Sequence, residues 1–327
     1  MMNFLLSHSI HKSGIDLLRQ QPDIEVTIAN KNTVTDYLDK LKEADGFLIR
    51  VGRIGRDVME QSPKLKVIVR PGVGVDNIDV DAATDLGIPV VITPGANVRS
   101  VAEHTMALLY AISKDICYSY SETRMGNYAV RDRGAAIELQ GRSVGMIGFG
   151  NIGRETAKVF RNNELKVHVY DPFVKPEAIE ALGCIHEKNM YEMLAFVDVV
   201  SLHLPSMPET RDMLGKKEFD TMKEGSILIN CARGDIVVED ALYDSLKSGH
   251  LAGAAVDLMC AEPMDPQNKL FTLPNFIATP HLATLTQEAS VRVVRMAIEG
   301  AITIMRGERC SHIFNPKVYE HPHWNKR

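Results

Sequence analysis

With 327 residues, 45% hydrophobic and 24% charged, the chain has the composition of an ordinary globular protein and enough length for two domains with separate cores. A formal charge of −5 argues against a general nucleic-acid surface, which needs clustered excess Lys and Arg, and no stretch approaches the ~20 apolar residues of a membrane span. The five cysteines are odd in number, widely spaced and without a C-x-x-C pair. Met1 to Ser7 reads as a short strand followed at once by polar His8, His11 and Lys12, not as a secretory signal. The expectation is a cytoplasmic protein with no metal, no membrane and no nucleic-acid partner.

The first elements alternate. "NFLLS", "EVTIA", "GFLIR", "KVIVR" and "PVVIT" read as strands, and "KSGIDLLRQQ", "TVTDYLDKLKEA", "GRDVMEQS" and "VDAATDLG" as the helical segments between them, the rhythm of a parallel sheet with crossover helices. "SVAEHTMALLYAISKDI", Ser100 to about Ile116, is apolar around most of its circumference, as in a helix covered by other helices or by a partner chain; Ser100 and Glu103 spell a capping box at its start. A second alternating series follows: "SVGMIG", "KVHVYD", "DVVSLHL", "SILINCA", "LAGAAVD" and "NFIATP". The fold class is therefore α/β, with two doubly wound parallel-sheet domains. The last helical stretch, about Thr286 to Met305, can return to the first domain and make it discontinuous.

In "VGMIGFGNIGRETAKVF", Gly148, Gly150 and Gly153 have G-x-G-x-x-G spacing directly after a strand and opening a helix, and Asp171 ends the next strand eighteen residues past Gly153. This is the Rossmann dinucleotide fingerprint in its full context. The glycines admit the tight turn and the pyrophosphate, while Asp171 accepts from the adenosine ribose and repels a 2′-phosphate, favouring NAD over NADP. "GRSVG", Gly141 to Gly145, spells the nucleophile-elbow pattern, but Ser143 enters a strand instead of leaving one, so a serine hydrolase is set aside.

Three charged or titratable residues stand at or beyond the ends of later strands: Arg233 after "SILINCA", Glu262 in "DLMCAEP" and His281 in "ATPHLA". Ligands of open α/β sheets bind at those ends. Hydride transfer between nicotinamide and a 2-hydroxy or 2-keto acid needs such a set. His281 exchanges the hydroxyl proton, Glu262 orients the imidazole, and Arg233 grips the carboxylate and polarises the keto oxygen. His203 is the main rival base, with no carboxylate near it in sequence; His104 lies inside the apolar helix and His168 in mid-strand.

"GRSVGMIGFGNIGRETA", "YDP", "HLPSMPET", "LINCARGDIVVEDAL", "GHLAGAAVD", "AEP" and "TPHLA" occur in the order of the D-isomer-specific 2-hydroxyacid dehydrogenase family, which the chain resembles over nearly its whole length. "RPGVGVDNIDVDAATDLGIPV" and "NVRSVAEHTMALL" are most similar to its phosphoglycerate dehydrogenases, here of a form without the C-terminal regulatory domain. The resemblance implies Arg233, Glu262 and His281 as catalytic residues and NAD as cofactor. It adds Asp257 at the nicotinamide carboxamide, with Asn151, Ile152, Leu204, Pro205, Cys231 and Ala232 lining the cofactor cleft. It places the substrate carboxylate at the backbone of Val73 and Gly74, and a second anion, such as phosphate, near Arg50, Arg53 and Arg131; Arg56 joins this basic set.

The same resemblance implies a Rossmann-type cofactor domain over residues 98–290 and a flavodoxin-like substrate domain over 1–97 and 291–327. A homodimer through the Ser100 helix, or a tetramer of such dimers, is also implied. Ala283, Thr284 and Leu285 depart from the small residues the family carries after "PHL", and the family's common tryptophan is missing from "MGNYAVRDRG". Substrate pairs open to the chain are phosphoglycerate, glycerate with hydroxypyruvate, glyoxylate and sulfolactate; the competing class is an NAD(H)-sensing corepressor.

Overall fold

The computed structural model describes residues 1–31, 33–50 and 52–325, and the chain divides into two compact units, Met1–Asn97 with Thr286–Arg327 and Val98–Leu285. In the first unit, β1 (Met2–Leu6), β2 (Ile24–Ile28), β3 (Gly46–Leu48), β4 (Val67–Val69) and β5 (Val90–Val91) form a parallel sheet in the order β2-β1-β3-β4-β5. Alternate residues feed opposite faces. Phe4, Leu6, Val67 and Val69 pack against Val294, Ala297 and Ile298 of the Gln287–Met305 helix, while Leu5, Phe47 and Ile68 pack against Val58, Ala82 and Ala83. Covering both faces is what lets short, almost wholly apolar parallel strands persist.

The expected helix over Thr33–Ala44 divides into a 3-10 turn, Val34–Tyr37, and a short helix, Leu38–Lys42. The break falls at Tyr37, whose φ of −137° and ψ of 19° leave the helical region and whose side chain is buried.

In the second unit, β6 (Ser143–Ile147), β7 (Lys166–Tyr170), β8 (Ile185–His186), β9 (Val199–Leu202), β10 (Ser226–Asn230), β11 (Leu251–Val256) and β12 (Phe276–Ala278) form a seven-stranded parallel sheet. Its order, β12-β11-β10-β9-β6-β7-β8, reverses between β6 and β9, the switch point at which a doubly wound sheet opens a crevice. Met146, Ile227 and Ile229 face the Val98–Ser113 and Asn151–Asn162 helices through Met106, Leu109 and Phe160; Val200, Leu228 and Ala254 face Met193, Phe219 and Leu246.

The helix expected from Ser100 begins at Val98, so Ser100 lies inside its first turn and makes no capping box. Its hydroxyl instead donates to the Ala283 carbonyl, and Glu103 accepts from Arg99. No helix among the described residues is long and apolar enough to cross a membrane.

Candidate active site

The glycine turn sits at the β6 end of the switch point. Gly148 has φ +97°, in the left-handed region, and a Cβ there would stand 2.4 Å from the His203 carbonyl oxygen, so only glycine lets the turn lie against the end of β9. Gly150 precedes the Asn151–Asn162 helix, has open space where a Cβ would be, and supplies no side-chain cap to the first helical N–H groups. Those unpaired donors and that space fit a pyrophosphate.

Asp171, half-buried just past β7, accepts through Oδ2 from the Phe149 N–H (2.7 Å) and through Oδ1 from the N–H groups of Phe173 (2.8 Å) and Val174 (3.2 Å). Its carboxylate thus ties the glycine turn to the exit of β7 and keeps a lone pair on Oδ2 for a ribose hydroxyl. The residues fit NAD.

On the other side of the switch point, β10, β11 and β12 lie side by side and their C-terminal ends carry Arg233, Glu262 and His281. β10 is buried over its whole length, and Arg233 is the first residue past it with a charge. The half-buried Arg233 donates through Nη1 to the Ala232 carbonyl (2.8 Å), while Asn230 holds the Arg233 carbonyl through Nδ2 (2.8 Å) and the Ala232 N–H through Oδ1 (2.9 Å). At Gly234 a Cβ would meet the Met259 carbonyl carbon at 2.1 Å, so the arginine turn and the loop after β11 cross backbone to backbone.

His281 Nδ1 lies 3.0 Å and 3.2 Å from the two Glu262 oxygens, and both side chains are about two-fifths exposed, at 41% and 44%. With Nδ1 engaged by Glu262, Nε2 is the ring nitrogen outside the pair. The His281 backbone is itself left-handed, φ +51°, a conformation that must be held by its surroundings in a residue with a Cβ. Its N–H donates to the carbonyls of Asp257 (2.8 Å) and Thr279 (2.9 Å).

Asp257 is fully enclosed, and its acceptors are engaged by the chain itself: Thr279 Oγ1 at 2.5 Å, the N–H groups of Leu282 (3.0 Å) and Ala283 (2.9 Å), and His104 Nε2 at 3.4 Å. Burial alone would raise this carboxyl, but His104, Thr279 and the two backbone donors outweigh it and hold it below the ordinary carboxylate range. Sequence reasoning set His104 aside; the signal it passed over is that Ser100 and His104, four residues apart, put two polar groups on one face of an apolar helix. Ala283, at 3% exposure, turns into this network and away from the surface, whereas Leu285 is exposed.

His203, the rival base, is turned inward with Nε2 2.9 Å from the Ser201 hydroxyl, and burial pushes it down to about 3, too weak a base to take a proton at neutral pH. His168 pairs with Glu187 at 2.7 Å and stacks edge-on against Phe196, a structural role. Burial raises the Cys231 thiol to about 12, far from a thiolate nucleophile, and Ala232 beside it is buried. Asn151 and Pro205 are exposed, Ile152 and Leu204 half-buried. Ser143 bonds to Asp198 through its hydroxyl and N–H, both 2.8 Å, as the first residue of β6.

Of the basic set, Arg56 is paired with Asp85 (2.5 Å) and Glu60 (3.8 Å), which removes it from the anion-binding candidates. Arg50 donates to the Ser9 carbonyl at 3.2 Å; Arg53 and Val73 are exposed and Gly74 half-buried in the first unit. In the second unit, Arg131 lies over the Tyr128 ring at 5.5 Å.

A switch-point glycine turn beside strand ends bearing an arginine and a carboxylate–imidazole pair defines the chain as a dinucleotide-binding α/β protein. The model of the D-isomer specific 2-hydroxyacid dehydrogenase NAD binding domain matches residues 106–283. The D-3-phosphoglycerate dehydrogenase of Methanocaldococcus jannaschii is 38% identical over 316 residues, covering 96% of this chain and 60% of that protein; that of Bacillus subtilis is 35% identical over 308 residues, 94% and 58%. The chain thus spans about three-fifths of the length of the curated relatives it matches. Among solved structures, the TT0316 protein from Thermus thermophilus superposes with a TM-score of 0.88 at 31% identity, covering 96% of this chain and 100% of that one. D-lactate dehydrogenase with NAD+ from Lactobacillus jensenii gives 0.78 at 26% identity, covering 96% and 99%. The chain belongs to the D-isomer specific 2-hydroxyacid dehydrogenase family, and NAD is the cofactor of its second unit.

Proposed function

We propose that the chain is an NAD-dependent oxidoreductase that interconverts a small D-2-hydroxy acid and its 2-keto acid, with 3-phosphoglycerate and phosphohydroxypyruvate as the leading pair. The observation that carries this is the His281–Glu262 pair at 3.0 Å, on strand ends next to that of Arg233 and in the same sheet as the glycine turn. Bound NAD supplies the hydride acceptor. The protein's own part in oxidation is to take the 2-hydroxyl proton on His281 Nε2, with Glu262 stabilising the imidazolium through Nδ1. In the reverse direction Nε2 returns the proton to the oxygen while the Arg233 guanidinium faces the charge that develops there and holds the carboxylate.

The backbone of Val73 and Gly74 is proposed as a second carboxylate contact. Asp171 is the proposed adenosine ribose acceptor, with Gly148, Gly150, Asn151, Ile152 and Gly153 at the pyrophosphate and Leu204, Pro205, Cys231, Ala232 and Asp257 on the nicotinamide side. The name shared by the curated relatives favours a phosphate at the substrate's other end, taken by Arg53 and Arg131. A homodimer is proposed through the face that bears Ile116, Tyr120, Met125 and Tyr128, all exposed, beside a cleft of about 460 Å³ lined by Ile112, Cys117, Tyr118 and Phe271. Five unpaired cysteines fit the reducing cytoplasm.

The deciding experiment is a panel of phosphohydroxypyruvate, hydroxypyruvate, glyoxylate, pyruvate, oxaloacetate and sulfopyruvate with NADH and with NADPH, followed by nicotinamide absorbance. NADH-dependent reduction of at least one acid is expected. Silence across the panel with NADH still bound would transfer the chain to the dinucleotide-sensing class.

A further inference from the structure

We propose that His104 is a positioning residue for the reaction: as a hydrogen-bond donor to Thr279, it fixes the Thr279–Ala283 turn on which His281 is carried. This rests on the reading of His281 as the proton-exchanging residue.

Ser100 and His104 are four residues apart on the Val98–Ser113 helix and therefore on one face of it. Ser100 holds the last residue of the turn through the Ala283 carbonyl, and His104 Nε2 lies 3.0 Å from the Thr279 hydroxyl, at its first residue. His281 is midway between these two grips, in its left-handed conformation. Asp257, from the end of β11, closes the turn from the other side through Thr279, Leu282 and Ala283.

The direction of the His104 bond follows from counting protons. Thr279 has one hydroxyl hydrogen, and at 2.5 Å from the enclosed Asp257 carboxylate that hydrogen is committed to Oδ1. The hydroxyl oxygen can then only accept from His104, so Nε2 carries the hydrogen. The same N–H faces Asp257 Oδ1 at 3.4 Å. Removing it leaves an enclosed carboxylate short of a donor and the first residue of the turn unheld. His104 bonds to Thr279 and faces Asp257, so its effect on His281 is one of placement.

The test uses the full chain and compares His104→Leu, His104→Gln, Thr279→Val and the double variant His104→Leu/Thr279→Val. Because misplacement by about 1 Å costs up to ~100-fold, His104→Leu and Thr279→Val are each expected to lower kcat roughly 10- to 100-fold, with NADH affinity by fluorescence kept within about threefold. The glutamine amide can still donate, so His104→Gln should remain within about threefold of wild type. The double variant should be no worse than the worse single one, since both remove the same bond.

A His104→Leu protein with wild-type kcat, equal losses in leucine and glutamine variants, or additive losses in the double variant would each overturn the proposal. Should His104→Leu fail to fold by circular dichroism, the histidine tautomer of the wild-type chain, which needs no variant, decides. An independent readout is the histidine tautomer in 15N-histidine-labelled protein: a protonated Nε2 on His104 is expected, and the Nδ1–H tautomer would refute the donor role. A wild-type chain that turns over no acid refutes the reaction assigned above, and the tautomer then decides the bonding claim by itself.

Discussion

On the β6–β7 side of the seven-stranded sheet, the groups offered to a ligand are backbone: the turn at Gly148, the uncapped first N–H groups after Gly150, and one lone pair of an Asp171 that otherwise braces that turn. On the β10–β12 side they are side chains, Arg233, Glu262 and His281, each on a turn that other side chains hold in place. Backbone donors come pre-aligned by the secondary structure they begin, and a substitution there changes shape before it changes chemistry. Side-chain groups can be replaced with the frame intact, so the two sides should fail differently.

The largest effect is expected on the side-chain half. His281→Ala should lower kcat by roughly 10²–10⁴-fold with NADH binding unchanged, because only the proton acceptor is lost. Arg233→Ala should cost about 10²–10³-fold, and Arg233→Lys should recover little of it, since a point charge does not replace the planar fork toward a carboxylate. Near wild-type turnover of Arg233→Ala would break the assigned mechanism outright. Gly148→Ala is the counterpart on the backbone half. Its Cβ would stand 2.4 Å from the His203 carbonyl, so about 1–3 kcal/mol of stability and most of the NADH affinity should go together, read by urea unfolding and fluorescence titration. If Gly148→Ala kept both, the switch-point turn would be looser than its geometry requires.

Asp171→Asn should fall between the two patterns. An amide can replace one acceptor but not a charge, so affinity for NADH should weaken roughly tenfold and the preference over NADPH should narrow, with kcat at saturating NADH retained. A joint loss of kcat would mean that Asp171 acts through the turn at Phe149 more than through the cofactor.

The same division decides what could be read from the sequence. The glycine spacing, the acid at the end of β7 and the arginine and histidine just past β10 and β12 are local patterns, each fixed by a few neighbouring residues. Arg56 looked like its basic neighbours, because its partner Asp85 lies 29 residues away across the first unit. Ser100 with Glu103 spelled a helix start, but the helix begins at Val98 and the serine answers to Ala283, 183 residues on. Asp257 came into view only through the family resemblance; that four groups of the chain enclose its carboxylate depends on a turn and a helix that no local pattern relates to it. The split of the Thr33–Ala44 segment falls at Tyr37, which leaves the helical region as its side chain is buried, an outcome periodicity does not weigh.

The smallest expected effect is a pH dependence of stability carried by His203. His203 binds its proton in the unfolded chain near 6.5 and in the fold only at about 3. Between those values the unfolded state carries the extra proton, so stability is complete above about pH 6.5 and is lost as the pH falls, by about 1.4 kcal/mol per unit for this one group. Asp257, Asp198, Glu155 and Glu218 are also held low, but as carboxylates they remove stability only once the pH drops below their unfolded values near 4. Between pH 6.5 and 5 those carboxylates stay ionised, so the difference between wild type and a His203 variant reads the His203 contribution. Urea unfolding should show a loss of roughly 2 kcal/mol across it, and His203→Gln, which keeps an amide within reach of Ser201, should flatten that slope while leaving the acid limb below pH 4 in place. A slope that survives in His203→Gln would locate the buried titration elsewhere in the fold.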